Sequence, residues 1–587
     1  HTKRMLLYSA LVASVLLLFL SFFTYVEAAV YFGFAFFLIS LILCCELHDR
    51  PTLMYAALVF LLVGNICYLG YYRGTDSAPM QIPRHEAYKQ ALQVSAEPVL
   101  SQIEDAKEWR SDIWRDHADQ RASRNSDLVS GYQETSFYNS YYNGAVSEFH
   151  SKLGLASSPL GFSFDNNGDR TAINLLSGAK YMVMPDICIP AWHPALYDTV
   201  AAQALCGATP YTAFESDDAL PKAFVYSDAV GESQVQDLSS VELQSQMLHG
   251  VIVDDSSDRG LQNGTSDSSG VSSPQQTLSL LQPSGQMGVA SRNAGEAYCV
   301  QTNEKDRQIG VIETDIPEDS EAYLIISDVN HTYTRINSET GHARKLNGSE
   351  EPKDVREFLN RLSRDSTDPD SFSLTATVNG TSPTSFTQYL PKSHLYSGKN
   401  TWAIRLPNTS GHVRIEITVS NPGPYTFTDA EVQTQSYSSI ASAAENLKQG
   451  SAQNIIAQGN SLSCDANIDR NGEYLYAQIP YSEGWHATVD GKPADIIQAN
   501  YGFSAIRMDA GDHHVEFTYG TPGLRAGFVI SIIGLAASIA YTYFVTLRRR
   551  RVRNVAQRPV SQSHMNLHVK PPVRTNARPY VRRRSIH

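Results

Sequence analysis

The sequence predicts an integral membrane protein, in which α-helical transmembrane spans accompany a large extracytoplasmic α+β region that ends in β-sandwich domains. Three observations carry this prediction. Uncharged apolar runs long enough to cross a bilayer lie at both ends of the chain. A long polar stretch separates them, and its second half alternates apolar and polar residues with the period of β-strands. With 587 residues, the chain also exceeds the roughly 250–300 residues at which one core stops growing, so several folded units are expected.

Four segments have the length and composition of membrane-spanning helices: Met5–Phe23, Ala28–Cys45, Thr52–Tyr72 and Ala526–Leu547. A cleaved signal peptide is the competing interpretation of the first segment, because basic residues precede it. The second apolar run follows at once, which favours a span.

Basic clusters predict the direction of these spans, since such clusters favour the cytoplasmic side. They occur before the first span, between the second and third spans, and at Arg548–Arg553. Placing all of them inside puts both ends of this chain in the cytoplasm and residues 73–524 outside. We therefore expect a multi-pass protein of the cell membrane, with membrane lipid as a partner of the basic tail.

Charge argues against a nucleic-acid reader. The net charge is −13, yet residues 548–587 hold twelve basic residues and no acidic one. The folded body is therefore strongly acidic, whereas a protein that binds nucleic acid carries positive charge on its folded domain.

The order of patterns along the chain predicts its domains. An apolar strand at Tyr181–Met184 and a helix at Glu86–His117 indicate a mixed α/β unit, and alternation through Val413–Val419 indicates a half-buried antiparallel strand. Ser, Asp, Gly and Gln dominate 254–284, which predicts a linker. The predicted divisions are 1–72 (three transmembrane helices), 73–230 (mixed α/β domain), 231–296 (low-complexity linker or loop), 297–437 (β-sandwich), 438–523 (membrane-proximal β-sandwich), 524–547 (transmembrane helix) and 548–587 (disordered tail).

An aromatic, Asn-rich stretch at Gly131–Gly144 is the candidate saccharide-binding segment. Aromatic faces stack on the C–H surfaces of sugars, and neighbouring Asn and Gln side chains bond hydroxyl groups. Packing in the core is the alternative for the same aromatic residues. The candidates are Tyr132, Phe137, Tyr138, Tyr141 and Tyr142.

Cysteine spacing gives no zinc motif. A disulfide between Cys188 and Cys206 is plausible in an oxidising compartment, and two free thiols are the alternative. Asp165, Asn167 and Asp169 alternate as in a calcium loop, but the glycine stands at the wrong position. His513 and His514 are neighbours on a predicted strand and point to opposite faces, so they cannot bind one ion together. We predict no metal site and no bound cofactor.

Two blocks of sequence resemble the YfhO family of bacterial membrane proteins. The first runs over Pro480–Lys492 (PYSEGWHATVDGK), Gly502–Ile506 (GFSAI) and Ala510–Tyr519 (AGDHHVEFTY), directly before the last span. The second joins Ser136–Leu155 to Leu175–Val183 (LLSGAKYMV). The match is to the C-terminal part of the family, so missing N-terminal spans of the same protein are an expected partner.

The family resembles GT-C glycosyltransferases, which implies transfer of sugar from a polyprenyl-phosphate carrier to a cell-envelope glycopolymer of the teichoic-acid type. Catalytic acids of such enzymes lie in the first exterior loop. The short loop Tyr25–Glu27 does not match it, so no catalytic residue carries over and this chain alone is expected not to transfer sugar. The alternative function is a non-catalytic membrane-anchored carbohydrate-binding or cell-envelope scaffold protein.

Overall fold

A computed structural model describes most of the region between the predicted third and fourth spans, and the fourth span itself. The described residues are 97–114, 131–138, 143–155, 163–164, 166–206, 209–255, 266–293, 295–332, 335–336, 343–344, 369–391, 393 and 395–556. The predicted spans Met5–Phe23, Ala28–Cys45 and Thr52–Tyr72 lie outside them, as does the tail beyond residue 556.

The described helices are mostly short. They are α1 Glu97–Leu100, α2 Gly144–Lys152, α3 Thr171–Leu176, α4 Ile189–Trp192, α5 Ser240–His249, α6 Tyr437–Gln449 and α7 Leu524–Ala556, with 3₁₀ turns at Asp186–Cys188 and Glu232–Gln234. Helix α5 begins with a capping box, in which Ser239 and Glu242 each accept a hydrogen bond from the other's backbone N–H.

The first group of strands mixes parallel and antiparallel pairing. Its members are β1 Arg110–Ile113, β2 Gln133–Glu134, β3 Phe137–Tyr138, β4 Ser163–Phe164, β5 Ala179–Pro185, β6 Asp198–Cys206, β7 Thr209–Glu215, β8 Ala223–Tyr226, β9 Ala229–Gly231 and β10 Val251–Val253. A sheet in the order β2-β1-β5-β7-β6 contains the predicted strand at 181–184. Strand β1 runs parallel to β2 and β5, whereas β7 is antiparallel to β5 and β6.

The second group of strands pairs antiparallel. Its members are β11 Val271–Ser272, β12 Gln276–Leu281, β13 Met287–Val289, β14 Tyr298–Thr302, β15 Arg307–Ile316, β16 Ser320–Ser327, β17 Asn330–His331, β18 Arg335–Ile336, β19 Ala343–Arg344, β20 Ser371–Val378, β21 Thr381–Tyr389, β22 Trp402–Arg405, β23 Gly411–Val419, β24 Gly423–Phe427 and β25 Asp429–Ser436. Their main sheets follow the orders β13-β12-β15-β23-β20-β21, β11-β25-β16-β22 and β14-β24-β17. We call the described residues of 266–436 the β region.

Apolar side chains from all three of these sheets meet in one core. Strand β23 shows why: Val413, Ile415, Ile417 and Val419 are buried, while the residues between them face outward. This confirms the alternation predicted for 413–419. Trp402 is fully buried in the same core and stacks on Phe386 with ring centroids 4.4 Å apart.

The third group of strands follows α6. Its members are β26 Gln453–Gln458, β27 Ser461–Ile468, β28 Tyr474–Pro480, β29 Trp485–Val489, β30 Lys492–Ala494, β31 Ile497–Ala499, β32 Phe503–Arg507 and β33 Gly511–Tyr519. Five of them form a sheet in the order β26-β27-β33-β29-β30.

The other three strands correct the prediction that 438–523 folds as a sandwich of its own. They complete a sheet in the order β8-β28-β32-β31-β10-β9, whose remaining strands come from 223–253. Strand β28 pairs antiparallel with β8, and β31 pairs antiparallel with β10. The chain thus leaves this sheet, forms the β region and returns. We call the described residues of 97–255, with α6, β28, β31 and β32, the α/β region.

Helices α3, α5 and α6 lie with this composite sheet in one core of the α/β region. This core includes buried residues from before and after the β region, among them Met247 of α5, Ala444 of α6 and Tyr476 of β28. Because helices and returning strands bury the sheet, β28 is apolar almost throughout rather than alternating.

Two further predictions are corrected in this region. The segment 231–296, predicted as a low-complexity linker, contains α5 and β10 to β13, because its apolar residues find partners in distant strands. The predicted helix at 86–117 gives way to strand β1 at Arg110–Ile113, which pairs with β5. Tertiary pairing outweighs local helix preference there.

A buried charge cluster joins the two regions. Glu321 of the β region is 2% exposed, accepts hydrogen bonds from the backbone N–H and hydroxyl of Thr171, and pairs with Arg405 at 3.3 Å. Arg170, fully buried at the start of α3, donates to the carbonyls of Gly154 and Ala403. Burial lowers the pKa of Arg170 to about 10, while Glu321 and Tyr323 oppose that shift.

Helix α7 belongs to a second unit, which comprises Glu483–His486 and Thr518–His587. Among the described residues, one helix is long and apolar enough to cross a membrane, at Leu524–Arg548, and this agrees with the span predicted at 526–547. The helix continues to Ala556 and so corrects the first part of the predicted disordered tail. Arginine is a good helix former, which accounts for the extension.

Candidate functional site

A cavity of about 330 Å³ opens in the α/β region beside the candidate saccharide segment. Its wall is mainly apolar, with Val146, Phe149, Phe164, Pro480 and Phe503 among the lining residues. Polar side chains interrupt that wall at a few places. A small apolar cavity with a few fixed polar groups is typical of a ligand site.

Helix α2 supplies one side of the cavity. Val146, Phe149 and His150 are spaced i, i+3 and i+4, so they share one helix face. Asn143 caps the helix: its side-chain oxygen accepts from the backbone N–H of Val146 at 3.1 Å. Its side-chain nitrogen donates to the carbonyl of Tyr481 at 2.8 Å. This pair of bonds fixes α2 against the end of β28.

The turn between β31 and β32 supplies the opposite side. Asn500 and Tyr501 both have positive φ, at 46° and 62°, a strained conformation for residues with side chains. The backbone N–H of Ile252 donates to the side-chain oxygen of Asn500 at 2.9 Å, which holds the turn.

Gly502 lets the backbone approach helix α2. A Cβ atom at this position would lie 2.8 Å from Cβ of Phe149, closer than side chains tolerate. The following residue, Phe503, meets Phe149 edge to face with ring centroids 5.2 Å apart. The turn therefore sets both aromatic walls.

Arg110 occupies the base of the cavity. Its guanidinium donates to the carbonyl of Ser177 at 2.6 Å, and to both the side-chain and the main-chain oxygen of Gln478 at 2.8 Å each. Burial lowers its pKa. These contacts join β1, the end of α3 and β28 beneath the site.

His150 is the most unusual lining residue. It is 6% exposed, and its ring stacks on Phe164 with centroids 4.0 Å apart. Its Nδ1 is buried with no hydrogen-bond partner among the described residues. Burial, with the nearby charges of Lys399 and Arg170, lowers the pKa of His150 to about 3, so the imidazole is neutral at physiological pH.

A hydrogen-bond network fixes the polar rim. The Thr135 hydroxyl donates to Asp112 at 2.6 Å, and the Asn174 amide donates to the other oxygen of Asp112 at 3.0 Å. Asn167 donates to Asn174 at 3.0 Å and to Ser177 at 2.8 Å. Glu134 also lines the cavity and accepts from Ser136 at 2.9 Å.

The predicted saccharide contacts have different places. Tyr132 packs in the core against β5 and β7, with Lys107 over its ring at 5.0 Å, and it is not among the described residues that line this cavity, so its contact with a saccharide stays a prediction. Phe137 and Tyr138 form β3, which pairs with β4. Tyr141 and Tyr142 lie outside the described residues.

The cysteine and histidine predictions concern other surfaces. The side chain of Cys206 lies outside the described ones, so the bridge between Cys188 and Cys206 stays a prediction. His513 contacts Asp490 at 2.8 Å and His514 contacts Asp465 at 2.6 Å. Within the described part of the chain, no three His, Cys, Asp or Glu side chains are grouped to hold a metal ion.

Arg110, His150 and Phe503 were not singled out by sequence reasoning. Two local signals for these residues are present in the sequence. The helix face at 146, 149 and 150 follows an Asn cap, and Phe503 follows a glycine within one of the blocks that resemble the family. The long-range contacts that bring them together left no trace in the sequence.

The chain matches the model of a family described as "Bacterial membrane protein YfhO" over residues 2–531. A curated relative, an uncharacterised YfhO protein of Bacillus subtilis (strain 168), is 27% identical over 150 residues. That match covers 26% of this chain and only 17% of the relative's length.

Solved structures show weaker likeness. A mutant form of the arabinofuranosyltransferase AftD from mycobacteria has a TM-score of 0.29 at 10% identity, covering 82% of this chain and 67% of its own. A Paenibacillus cycloisomaltooligosaccharide glucanotransferase has a TM-score of 0.15 at 7% identity, with coverages of 42% and 45%. Scores this low carry no argument about fold or activity.

Proposed function

This chain belongs to the YfhO family of bacterial membrane proteins, and from that premise we propose that it acts in extracytoplasmic glycosylation of a cell-envelope polymer. The cavity of the α/β region holds a saccharide part of the acceptor in this proposal. Membership of the family places the protein at the membrane. The direction of its spans, the sugar donor and the acceptor belong to the proposal.

One observation supports this role above the others: the segments that resemble the family converge on the cavity. Phe149 and His150 come from the block 136–155, and Ser177 from the block 175–183. Pro480 and Phe503 come from the blocks that begin at 480 and 502. Segments so distant in the chain share this location because the composite sheet brings them together.

The chemistry of the wall favours a saccharide. Aromatic rings pack on the apolar faces of sugar rings, while fixed polar groups orient hydroxyls. Phe149, Phe164 and Phe503 supply the rings here, and Asn143 and Glu134 lie among the polar groups.

The remaining parts of the role follow from the family resemblance. The donor in this proposal is a polyprenyl-phosphate-linked sugar, and the acceptor is a teichoic-acid-type glycopolymer. Helix α7 crosses the membrane in this proposal, with both ends of this chain in the cytoplasm.

Filling the cavity tests the proposal. The full chain, purified in detergent, is titrated with envelope glycopolymer from its bacterial host. Val146→Phe projects a larger ring into the cavity and should weaken polymer binding at least tenfold. Val200→Phe makes the same change at a 43% exposed position of β6 and should bind like the unmodified chain. Unchanged binding by Val146→Phe, in a variant that unfolds normally, would reject the cavity as the acceptor site.

Glycosylation in cells separates the two candidate functions. A strain that lacks this chain should carry less sugar on its envelope polymer, and only the unmodified chain and Val200→Phe should restore it. Polymer binding in vitro without any change of sugar content in the deletion strain would instead identify a non-catalytic carbohydrate-binding or scaffold protein.

A further inference from the structure

The cavity of the α/β region is poorly suited to an anion. Arg110 already donates three hydrogen bonds to neutral oxygens of Ser177 and Gln478, which use most of its donors. Glu134 adds a carboxylate to the same wall. A phosphate in this cavity would be repelled by the Glu134 carboxylate. The Arg110 guanidinium would have few free donors with which to bind it.

His150 does not supply the missing positive charge. Its ring is buried between α2 and Phe164, and the charges of Lys399 and Arg170 oppose its protonation. A neutral imidazole has one donor and one acceptor nitrogen. Its Nδ1 has no partner among the described residues and almost no exposed surface, which is costly for a polar atom, so a ligand hydroxyl that reaches this ring would relieve that cost.

The volume and the apolar wall of the cavity suit a small saccharide. Phe149 and Phe503 meet edge to face, so their rings form two walls at an angle to each other, and Pro480 lies beside them. The volume of about 330 Å³ is at the lower end for small-molecule sites, which excludes a long oligosaccharide from the enclosed space.

We infer that the cavity takes one uncharged pyranose residue, which packs in the corner between Phe149 and Phe503 and whose hydroxyl hydrogen-bonds the imidazole of His150. This inference rests on the proposed function and names its substrate class: the site recognises a sugar ring of the polymer and not its polyol-phosphate backbone. His150 then determines specificity, because its imidazole favours sugars that carry a hydroxyl at one position of the pyranose ring.

Two probes with opposite chemistry test this assignment on the full chain in detergent. Methyl N-acetyl-β-D-glucosaminide and methyl β-D-glucopyranoside represent the uncharged ring, and sn-glycerol 3-phosphate represents the backbone. Saturation-transfer NMR titrations should show binding of at least one glycoside and no competition by glycerol phosphate.

The variant His150→Phe keeps the stacking on Phe164 but removes both ring nitrogens, and it should weaken glycoside binding about tenfold. His412→Phe makes the same change at an exposed site on β23 and should leave binding unchanged. Glycoside binding that His150→Phe does not weaken would overturn the role of His150.

The outcomes also separate this inference from the proposed function. Tighter binding of glycerol phosphate than of either glycoside, abolished by Val146→Phe, would overturn the inference and leave the cavity as the acceptor site. Absence of binding by both probe classes, together with absence of polymer binding, would reject both.

Discussion

The α/β region and the β region differ in how the chain builds them. Sheets of the β region pair strands that lie within 266–436, and its strands β20, β23 and β24 alternate buried and more exposed residues. The composite sheet of the α/β region takes strands from both sides of that segment, at 223–253 and at 474–507. The α/β region is therefore complete only after the β region has been traversed, and its cavity is formed from both parts.

The surroundings of the cavity also differ from the simple pattern of strand β23. Strand β23 buries Val and Ile while Arg414 and Glu416 face solvent. The α/β region instead buries Asp112, Asn174 and Asn500 with almost no exposed surface. Buried polar networks fix a single arrangement when every member is satisfied. The ligand cavity lies beside the network that includes Asp112 and Asn174, so that network fixes the geometry of its polar side.

The largest effect should come from the charge cluster that joins the regions. Glu321→Ala removes the carboxylate that pairs with Arg405 and caps α3 through Thr171, and it leaves two buried guanidinium groups poorly compensated. We expect a loss of about 3–5 kcal/mol in the free energy of unfolding. Denaturant unfolding of the full chain in detergent, followed by tryptophan fluorescence, measures it.

Glu313→Ala is the matched control. Its ion pair with Arg414 at 2.8 Å is nearly half exposed, so the loss should stay below about 1 kcal/mol. Equal losses for the two variants would show that the regions do not depend on the buried cluster.

His150 should make the α/β region sensitive to acid. Its pKa is lowered to about 3 in the folded chain from 6.5, because burial and the charges of Lys399 and Arg170 disfavour the imidazolium. The unfolded chain therefore binds this proton first as pH falls. The stability that the neutral, buried imidazole allows is therefore fully present above pH 6.5, and it is lost progressively as the pH falls towards 3. Between pH 6 and 4.5 we expect about 2 kcal/mol of lost stability from this residue.

The comparison with His150→Phe isolates that residue, since carboxylates titrate in both proteins. The variant should show a shallower fall of unfolding free energy from pH 6 to 4.5, measured in the same detergent. Parallel curves would mean that the imidazole does not become protonated on unfolding in the way its burial implies. His412→Phe, at an exposed site, should follow the unmodified chain.

Sequence patterns predicted elements where local signals suffice. Alternation predicted β23, length and hydropathy predicted α7, and an apolar run predicted β5. They failed where pairing is long-range. Arg110 was placed in a helix, yet β1 pairs with β5 about seventy residues further on. The composition of 231–296 predicts a linker, whereas β10 and β11 pair with strands at 497–499 and 434–435 that no local signal reveals.

The site shows the same limit. The aromatic stretch at 131–144 lies beside the cavity, but Tyr132 from that stretch packs in a core. The lining rings come instead from Phe149, Phe164 and Phe503, which the composite sheet brings together. Nothing local in the sequence shows that Gly502 must lack a side chain to admit Phe149, because that requirement arises between α2 and a turn some 350 residues away.

The smallest effect expected is at the start of α5, where a helix cap also crosses between the regions. Ser239 accepts from the backbone N–H of Glu242 at 3.1 Å and donates its hydroxyl proton to the side-chain oxygen of Gln433 at 2.6 Å. Ser239→Ala should cost about 1 kcal/mol of unfolding free energy, the usual value of an N-cap.

A double-mutant cycle with Gln433→Ala separates the contribution of the cap from that of the hydrogen bond to Gln433, and a coupling of about 0.5 kcal/mol or more is expected for a direct contact. Ser436→Ala, at the cap of α6, is the comparison: its hydroxyl accepts from the backbone N–H of Ser439 at the longer distance of 3.4 Å, so its loss should be smaller. A coupling of zero between Ser239 and Gln433 would mean that the N-cap alone accounts for the stability lost in Ser239→Ala. The hydrogen bond to Gln433 would then not help to hold the two regions together.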